Sequence, residues 1–257
     1  MLFRSLRKLV GAKTAALVVQ SPNFYGCLED IAAAAETAHA AGALLVVVSD
    51  PVNLGVLEAP GRLGADIVVG EGQGLGVPLS YGGPYLGVFA AKQEVVRRMP
   101  GRLVGATVDR DGQRGFVLTL QTREQHIRRA KATSNICTNV ALCALMATIY
   151  LATLGRRGLV RVGELSTAKA HYAALRLTTV SGVSLRFAAP FFKEFTLKLP
   201  KPPERVVTRL ARQGFLAGVP LKSFDRGLVD CLLVAVTEKR TKAEIDAFAG
   251  ALEKAVA

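Results

Sequence analysis

The chain has 257 residues, of which half are hydrophobic and 21% are charged. This composition excludes a disordered or fibrous protein and allows one large or two smaller globular domains. Lysine and arginine number 33 against 20 aspartates and glutamates, and the resulting net charge of +13 points to a nucleic acid, an anionic membrane, or an acidic protein or phosphorylated ligand as partner.

The four cysteines form no C-x-x-C pair and no local cluster with the three histidines, so we predict no metal site. Reduced thiols and an N-terminus unlike a secretory signal predict a cytoplasmic protein.

The first ninety residues alternate between short apolar runs and a helical segment. Strands are predicted at 15–20, 44–49, 65–70 and 85–91, from β-branched and apolar runs. An alanine-rich helix is predicted at 28–41, with carboxylates in its first turn and Gly42 after its end. The strands are too apolar to be half-exposed, so we expect both faces to be buried, as in an α/β protein with a mostly parallel sheet.

The least polar segment, 136–154, contains no charged residue and has to be tested as a membrane span. A transmembrane helix needs about 20 mostly apolar residues, and this segment is nearly that long. Thr138, Asn139 and several alanines interrupt its hydrophobicity, however, and basic residues flank both ends. We therefore predict a buried connecting helix.

The remainder of the chain has a different composition and predicts a small α+β domain. Half-exposed strands are expected at 183–187 and 195–199, with a third strand at 231–236. One helix begins at Pro202-Pro203, and the last helix begins with the capping box of Thr241 and Glu244. The predicted domains are residues 1–155 and 156–257.

Three groups of residues are candidates for binding. Segment 69–87 holds seven glycines after a predicted strand, but its spacing fits neither G-x-G-x-x-G nor a P-loop, so it is either a ligand-binding loop or a tight structural loop. Asp50 follows another predicted strand and either pairs with a cationic ring nitrogen of a cofactor or caps the next turn. Thr133, Ser134 and Asn135 either bind an anion at the start of the apolar helix or cap that helix.

Four long runs of sequence, in order along the chain, carry a resemblance to a known family. They are VVQSPNFYGCLEDI at 18–31, GADIVVGEGQGLGVPLSYGGPYLGVFA at 64–90, GFVLTLQTREQHIRRAKATSNICTNVALCAL at 115–145 and LLVAVTEKRTKAEID at 232–246. The chain resembles subunit 1 of the P-protein of the glycine cleavage system, the decarboxylating glycine dehydrogenase. The resemblance spans nearly the whole chain.

The resemblance implies a fold-type-I pyridoxal-phosphate (PLP) architecture. This means part of a large α/β domain with a mostly parallel sheet, a long connecting helix and a small C-terminal α+β domain. The implied reaction removes CO2 from glycine held on PLP and passes the aminomethyl group to the lipoyl arm of the H-protein. The expected assembly is a cytoplasmic heterotetramer with a lysine-bearing subunit 2, and the chain is expected to be inactive alone. Because the family's subunit 1 continues far upstream, we expect an N-terminally truncated chain.

The resemblance also implies that this chain has no catalytic lysine. When Gly82-Gly83-Pro84 is matched to the same tripeptide of the lysine-bearing subunit, Gln73 falls at the lysine position. An amide cannot form the imine that holds PLP, and no lysine occurs between Arg62 and Ala91. We therefore expect PLP to be held covalently by the partner subunit.

The remaining site residues are expected to support the partner. The resemblance places Asp50 at the position of the partner's ring-nitrogen aspartate, where it is a cofactor ligand or a relic. Backbone N–H groups and hydroxyls that cluster beside the start of a helix can bind a phosphate or line a substrate channel. The residues expected to face the partner's PLP are Tyr81, Gly82, Gly83, Thr133, Ser134 and Asn135.

Two alternative functions are carried forward. A self-contained PLP-dependent enzyme is disfavoured by Gln73. A nucleic-acid-binding protein would use the positive charge, but the chain has no tryptophan, only 6% aromatic residues and scattered basic groups. Docking of an acidic lipoyl carrier explains the charge better, so neither nucleic acid nor membrane is expected as a partner.

Overall fold

The structure is a computed structural model that describes residues 2–132 and 140–257. It begins with α1 (Leu2–Leu9) and a four-stranded sheet that is flanked by α2 (Ile31–Ala40). The strands, in spatial order, are β1 (Ala16–Ser21), β2 (Leu44–Ser49), β3 (Ile67–Glu71) and β4 (Gly87–Ala91). β1, β2 and β3 are parallel, and β4 is antiparallel to β3. The predicted strands and the mostly parallel sheet are confirmed.

Local sequence explains where α2 begins and ends. The Asp30 carboxylate accepts a hydrogen bond from the backbone N–H of Ala33 at 3.0 Å, which caps the first turn. Gly42 follows the last turn with a φ of +72°, a conformation that glycine adopts without strain. The predicted helix is confirmed, and it begins at Ile31, three residues later than predicted.

The core of this first sheet lies on one of its faces. Residues of β1 alternate between buried and exposed, and in β2 Leu45 and Val47 are buried whereas Leu44 is 39% exposed. The buried side chains pack against Ala34 and Ala38 of α2. The prediction that both faces are buried is therefore wrong, because the packed core lies only on the side of α2.

A separate β-hairpin follows the first sheet. Within the described ranges, its strands β5 (Leu103–Val108) and β6 (Arg114–Thr119) pair with each other and with no other strand, and the short helix α3 (Gln125–Arg128) comes next. Neither strand is among the predicted elements. The dipeptide Asp111-Gly112 between two apolar runs is nevertheless a typical hairpin signal.

A long helix, α4 (Ala141–Leu177), leads to the rest of the chain and is interrupted at Gly155, whose φ of 60° and ψ of −176° are not helical. In its first half Cys143 and Ala147 are buried, whereas Leu142 is 67% and Ile149 is 58% exposed. The connecting helix is confirmed, but its predicted burial is wrong because it packs along one narrow stripe. In the part of the chain that the structure describes, no helix is long and apolar enough to cross a membrane.

The second sheet is antiparallel throughout, with the spatial order β7–β8–β10–β9. Its strands are β7 (Ser184–Leu185), β8 (Glu194–Lys198), β9 (Val219–Pro220) and β10 (Cys231–Ala235). Helices α5 (Pro203–Ala211) and α6 (Lys242–Val256) pack with the second half of α4 against it. The capping box is confirmed, since Glu244 N–H donates to Thr241 Oγ1 at 3.2 Å and Thr241 N–H donates to Glu244 Oε2 at 2.7 Å. This arrangement confirms the predicted α+β architecture.

Strand β8 is covered on both sides. Phe195, Thr196 and Leu197 are buried in succession, so the predicted half-exposed alternation is wrong for this strand. Phe195 and Leu197 belong to the core beneath α4, α5 and α6. On the other side the Thr196 hydroxyl donates to the carbonyl of Tyr25 at 2.9 Å. The loop that follows β1 is thus fixed on β8, next to the end of the first sheet.

Candidate functional site

Asp50 lies directly after β2, at the carboxyl edge of the parallel strands where ligands bind in α/β folds. Its Oδ1 accepts a hydrogen bond from the backbone N–H of Val52 at 3.0 Å and caps a short 3-10 turn, Pro51–Gly55. The capping alternative is therefore confirmed for this oxygen.

The second oxygen of Asp50 is also engaged within the chain. Lys193 Nζ, contributed by the residue before β8, lies 2.5 Å from Asp50 Oδ2. The two side chains are only 22% and 23% exposed, so this ion pair is shielded from water far more than a surface pair. Lys193 is not among the predicted site residues, because nothing near it in the sequence shows a carboxylate 143 positions away.

A second carboxylate lies beside this ion pair. Burial raises the pKa of Glu194, the attraction of Lys193 lowers it, and the repulsion of Asp50 raises it further. The net direction is upward, so Glu194 holds a proton more readily than a solvated glutamate does. Lys193 Nζ already has a carboxylate partner in Asp50. The arrangement suits a fixed charge pair better than a nucleophile.

The glycine-rich loop between β3 and β4 is closed at its base by Glu71. Its Oε1 accepts hydrogen bonds from the backbone N–H groups of Gln73 at 3.0 Å and Leu86 at 3.1 Å, and Gly72 N–H donates to the Leu86 carbonyl at 2.6 Å. These bonds hold the two ends of the loop together. Glu71 is not among the predicted site residues, although a carboxylate at the start of a glycine-rich turn is a common acceptor for backbone N–H groups.

The tip of the loop projects into solvent. Tyr81 is fully exposed and has a φ of 50°, which is uncommon for a residue other than glycine, and Gly82 and Gly83 continue the chain with φ of 133° and 109°. Among the described residues, no hydrogen bond or ion pair joins Tyr81, Gly82 or Gly83 to Asp50. The tip of the loop therefore faces solvent, separate from the ion pair of Asp50 and Lys193.

Two parts of the predicted site remain to be located. Thr133, Ser134 and Asn135 lie outside the described residues, and their predicted role stays a prediction. Gln73 is half-buried at the base of the glycine-rich loop.

Of the predicted cofactor residues that the structure describes, Gln73 and Asp50 offer no amine for covalent attachment of PLP. Gln73 presents an amide, and both carboxylate oxygens of Asp50 already have partners, one in Val52 N–H and the other in Lys193 Nζ. Each of these oxygens therefore spends part of its acceptor capacity within the chain.

The family of the chain follows from its sequence over almost its full length. The sequence model of the glycine cleavage system P-protein matches residues 4–252. The chain belongs to this family.

Curated relatives of this P-protein chain carry a more specific description. A probable glycine dehydrogenase (decarboxylating) subunit 1 from Chloroherpeton thalassium is 56% identical over 250 residues, which are 97% of this chain and 56% of the relative. The corresponding protein from Chlorobium luteolum is 58% identical over 248 residues, with coverage of 96% and 55%. The chain thus spans just over half the length of these relatives.

Solved structures define the fold of this P-protein chain. A glycine decarboxylase (P-protein) of the glycine cleavage system, in inhibitor-bound form, superposes with a TM-score of 0.89 at 50% identity, covering 96% of this chain and 56% of that one. A sphingosine-1-phosphate lyase from Burkholderia pseudomallei, at 17% identity and a TM-score of 0.69, shares the fold alone, covering 99% of this chain and 54% of that chain. This is the fold-type-I architecture of PLP-dependent enzymes, here with part of the large domain and the C-terminal α+β part.

Proposed function

We propose that this chain is a subunit of the glycine-decarboxylating P-protein that supports the active site of a lysine-bearing partner and holds no cofactor covalently itself. The observation that carries the proposal is Gln73, which stands where a lysine is needed, in a segment from Arg62 to Ala91 that contains no lysine. The ion pair of Asp50 with Lys193 supports it, since this carboxylate already has a cationic partner within the chain.

The activity of the proposed assembly is the decarboxylation of glycine, with transfer of the aminomethyl group to the lipoyl arm of the H-protein. PLP, held covalently by the partner subunit, is the proposed cofactor. Within this assembly, residues 1–155 and 156–257 are the proposed domains, a division supported by the non-helical Gly155 in α4. A cytoplasmic heterotetramer remains part of the proposal.

The part proposed for this chain is to present its glycine-rich loop to the partner's pocket. Tyr81, Gly82 and Gly83 are the proposed contacts, supported by the full exposure of Tyr81 and by an outward-facing backbone with free space around Gly82. Thr133, Ser134 and Asn135 are proposed to join them. Glu71 fixes the base of the loop and so limits how far its tip can move.

The proposal is tested by following PLP and activity in the two subunits. The chain alone and the chain mixed with the lysine-bearing subunit are incubated with PLP, reduced with borohydride and freed of excess reagent. We expect mass spectrometry to find the phosphopyridoxyl group on the partner only, and CO2 release from glycine only in the mixture. Stoichiometric labelling of a lysine in this chain, or decarboxylation by this chain alone, would overturn the proposal.

A further inference from the structure

The β5–β6 hairpin carries an apolar face that is open to solvent. Residues directly opposite each other in an antiparallel pair share a face, and here the cross-strand pairs are Val104 with Leu118, Ala106 with Phe116, and Val108 with Arg114. Five of these six side chains are apolar. Val104, Val108 and Phe116 are 63%, 65% and 67% exposed, and Leu118 is 44% exposed. We call this set the hairpin face.

The hairpin face is large enough to mark an interaction site. Its exposed side chains present apolar surface on the order of 400 Å², the size of the largest patch on a typical soluble monomer, and such patches are often functional. A specific interface buries about 800 Å² on each partner, so the hairpin face would form the centre of such an interface and its surroundings the rim.

The physical cost of leaving this face open favours a permanent occupant. A two-stranded hairpin is marginally stable by itself, and Val104 and Phe116 add exposed β-prone surface that favours aggregation. A partner that docks transiently would leave the face exposed most of the time. Apolar centres of this kind are typical of obligate interfaces.

The charges around the hairpin face indicate whether its occupant is a second copy of this chain or a different protein. Segment 92–131 holds ten Lys or Arg against four Asp or Glu. Arg102 at the foot of the hairpin, Arg110 in its turn and Arg114 on the face are all exposed, and the Arg114 guanidinium lies 5.1 Å from the centre of the Phe116 ring. Two copies packed face to face would bring these arginines together, and like charges at an interface oppose association.

We propose that the hairpin face is the docking surface of a stably bound partner of different sequence, whose facing surface is apolar at its centre and acidic at its edge. Resting on the proposed function, this partner is the lysine-bearing subunit. The hairpin then binds the partner subunit, while the glycine-rich loop contacts the partner's pocket.

The test measures assembly of the full chain with the lysine-bearing subunit by analytical ultracentrifugation. The double variant Val104→Glu/Phe116→Glu places two charges at the centre of the face, and we expect the Kd to rise roughly 100-fold. Leu216→Glu is the matched control, because Leu216 is 98% exposed and lies in the loop before β9; its Kd should stay within about twofold of wild type.

Two further measurements separate docking from folding and from self-association. Hydrogen exchange on the wild-type chain should show amides of residues 103–119 protected only when the partner subunit is present.

The double variant Arg102→Glu/Arg110→Glu tests the charge argument. It should raise the Kd about tenfold at low ionic strength and less at high ionic strength.

The outcomes distinguish the docking inference from the proposed function. A complex of unchanged Kd with the double variant, together with unprotected hairpin amides, would overturn the docking inference alone. A wild-type dimer of this chain with protected hairpin amides would overturn it as well. If the wild-type chain formed no complex with the lysine-bearing subunit, both the proposed function and the inference would fail.

Discussion

At the scale of single residues, Asp66 joins α2, the beginning of β2 and the residue after β4, which are distant in sequence. Its carboxylate accepts hydrogen bonds from the backbone N–H of Leu45 at 2.7 Å and from Lys92 Nζ at 2.7 Å, and lies 2.9 Å from His39 Nε2. Burial would raise the pKa of Asp66, but the hydrogen bonds from Lys92, Leu45 and His39 outweigh it and lower the pKa to about 2. Asp66 is therefore a structural anchor, at the opposite end of β2 from Asp50.

Because the folded-state pKa of Asp66 lies below its ordinary value of 3.8, ionised Asp66 stabilises the fold above that value. This contribution, about 2 kcal/mol, is complete above roughly pH 5 and is lost as the pH falls from about 4 to 2. We expect Asp66→Asn to lower the free energy of unfolding by about that amount at pH 7, measured by urea denaturation, and the gap to close toward pH 2.

The control for Asp66 is Glu58→Gln. Glu58 pairs with Arg62 at 3.3 Å on the surface, where its side chain is 51% exposed. This variant should change the free energy of unfolding by less than about 0.5 kcal/mol. Equal effects of the two substitutions would contradict the role assigned to Asp66.

At the scale of elements, the loop that follows β1 connects the two sheets. Leu28 N–H donates to the Pro190 carbonyl at 2.8 Å, and the Thr196 hydroxyl donates to the Tyr25 carbonyl. Gly26 makes the close approach possible, since a Cβ at this position would lie 2.1 Å from the carbonyl oxygen of Glu194. This loop thus helps to hold Lys193 and Glu194 next to Asp50.

Gly26→Ala tests this connection, and Gly42→Ala controls for backbone strain. Both glycines have positive φ, of +86° and +72°, but a Cβ on Gly42 would meet nothing within 4 Å. We expect Gly42→Ala to cost about 1 kcal/mol from the left-handed backbone alone, and Gly26→Ala to cost about 3 kcal/mol or more because the loop must leave β8. Equal shifts in urea midpoint would show that the contact with β8 contributes nothing.

At the scale of the whole molecule, the positive charge is distributed over several surfaces. The hairpin region carries one group, and α5 carries another: Val206 and Leu210 face the core, whereas Arg205, Arg209 and Arg212 are exposed. If the hairpin face is covered by a subunit, the remaining basic surfaces are free to attract an acidic carrier. Attraction of this kind acts on the rate of encounter.

We expect the rate constant for association of the assembled P-protein with the H-protein to fall about tenfold or more as ionic strength rises from roughly 20 to 200 mM. The dissociation rate constant should change little, and so provides an internal control in the same stopped-flow experiment. An association rate constant that is independent of salt would contradict electrostatic steering.

Most of the elements could be predicted from sequence because their signals are local. The apolar runs, the Asp30 cap and the Thr241–Glu244 capping box each depend on residues within one or two turns. The hairpin is not among the predicted elements, although it has such a signal in Asp111-Gly112. Burial was predicted less well, since whether a face of β2 or α4 is covered depends on residues far away in the chain.

The sequence by itself determined the family, because membership depends only on which residues occur and in what order. It also carries the prediction that Gln73 replaces the lysine. Tertiary structure alone decided the rest of the site. The fold brings Lys193 to the second oxygen of Asp50. Burial and the nearby Asp50 make Glu194 a weaker acid. Ion pairs and pKa values depend on distance and solvent exposure. For residues that are 143 positions apart, the sequence alone gives neither the distance nor the exposure.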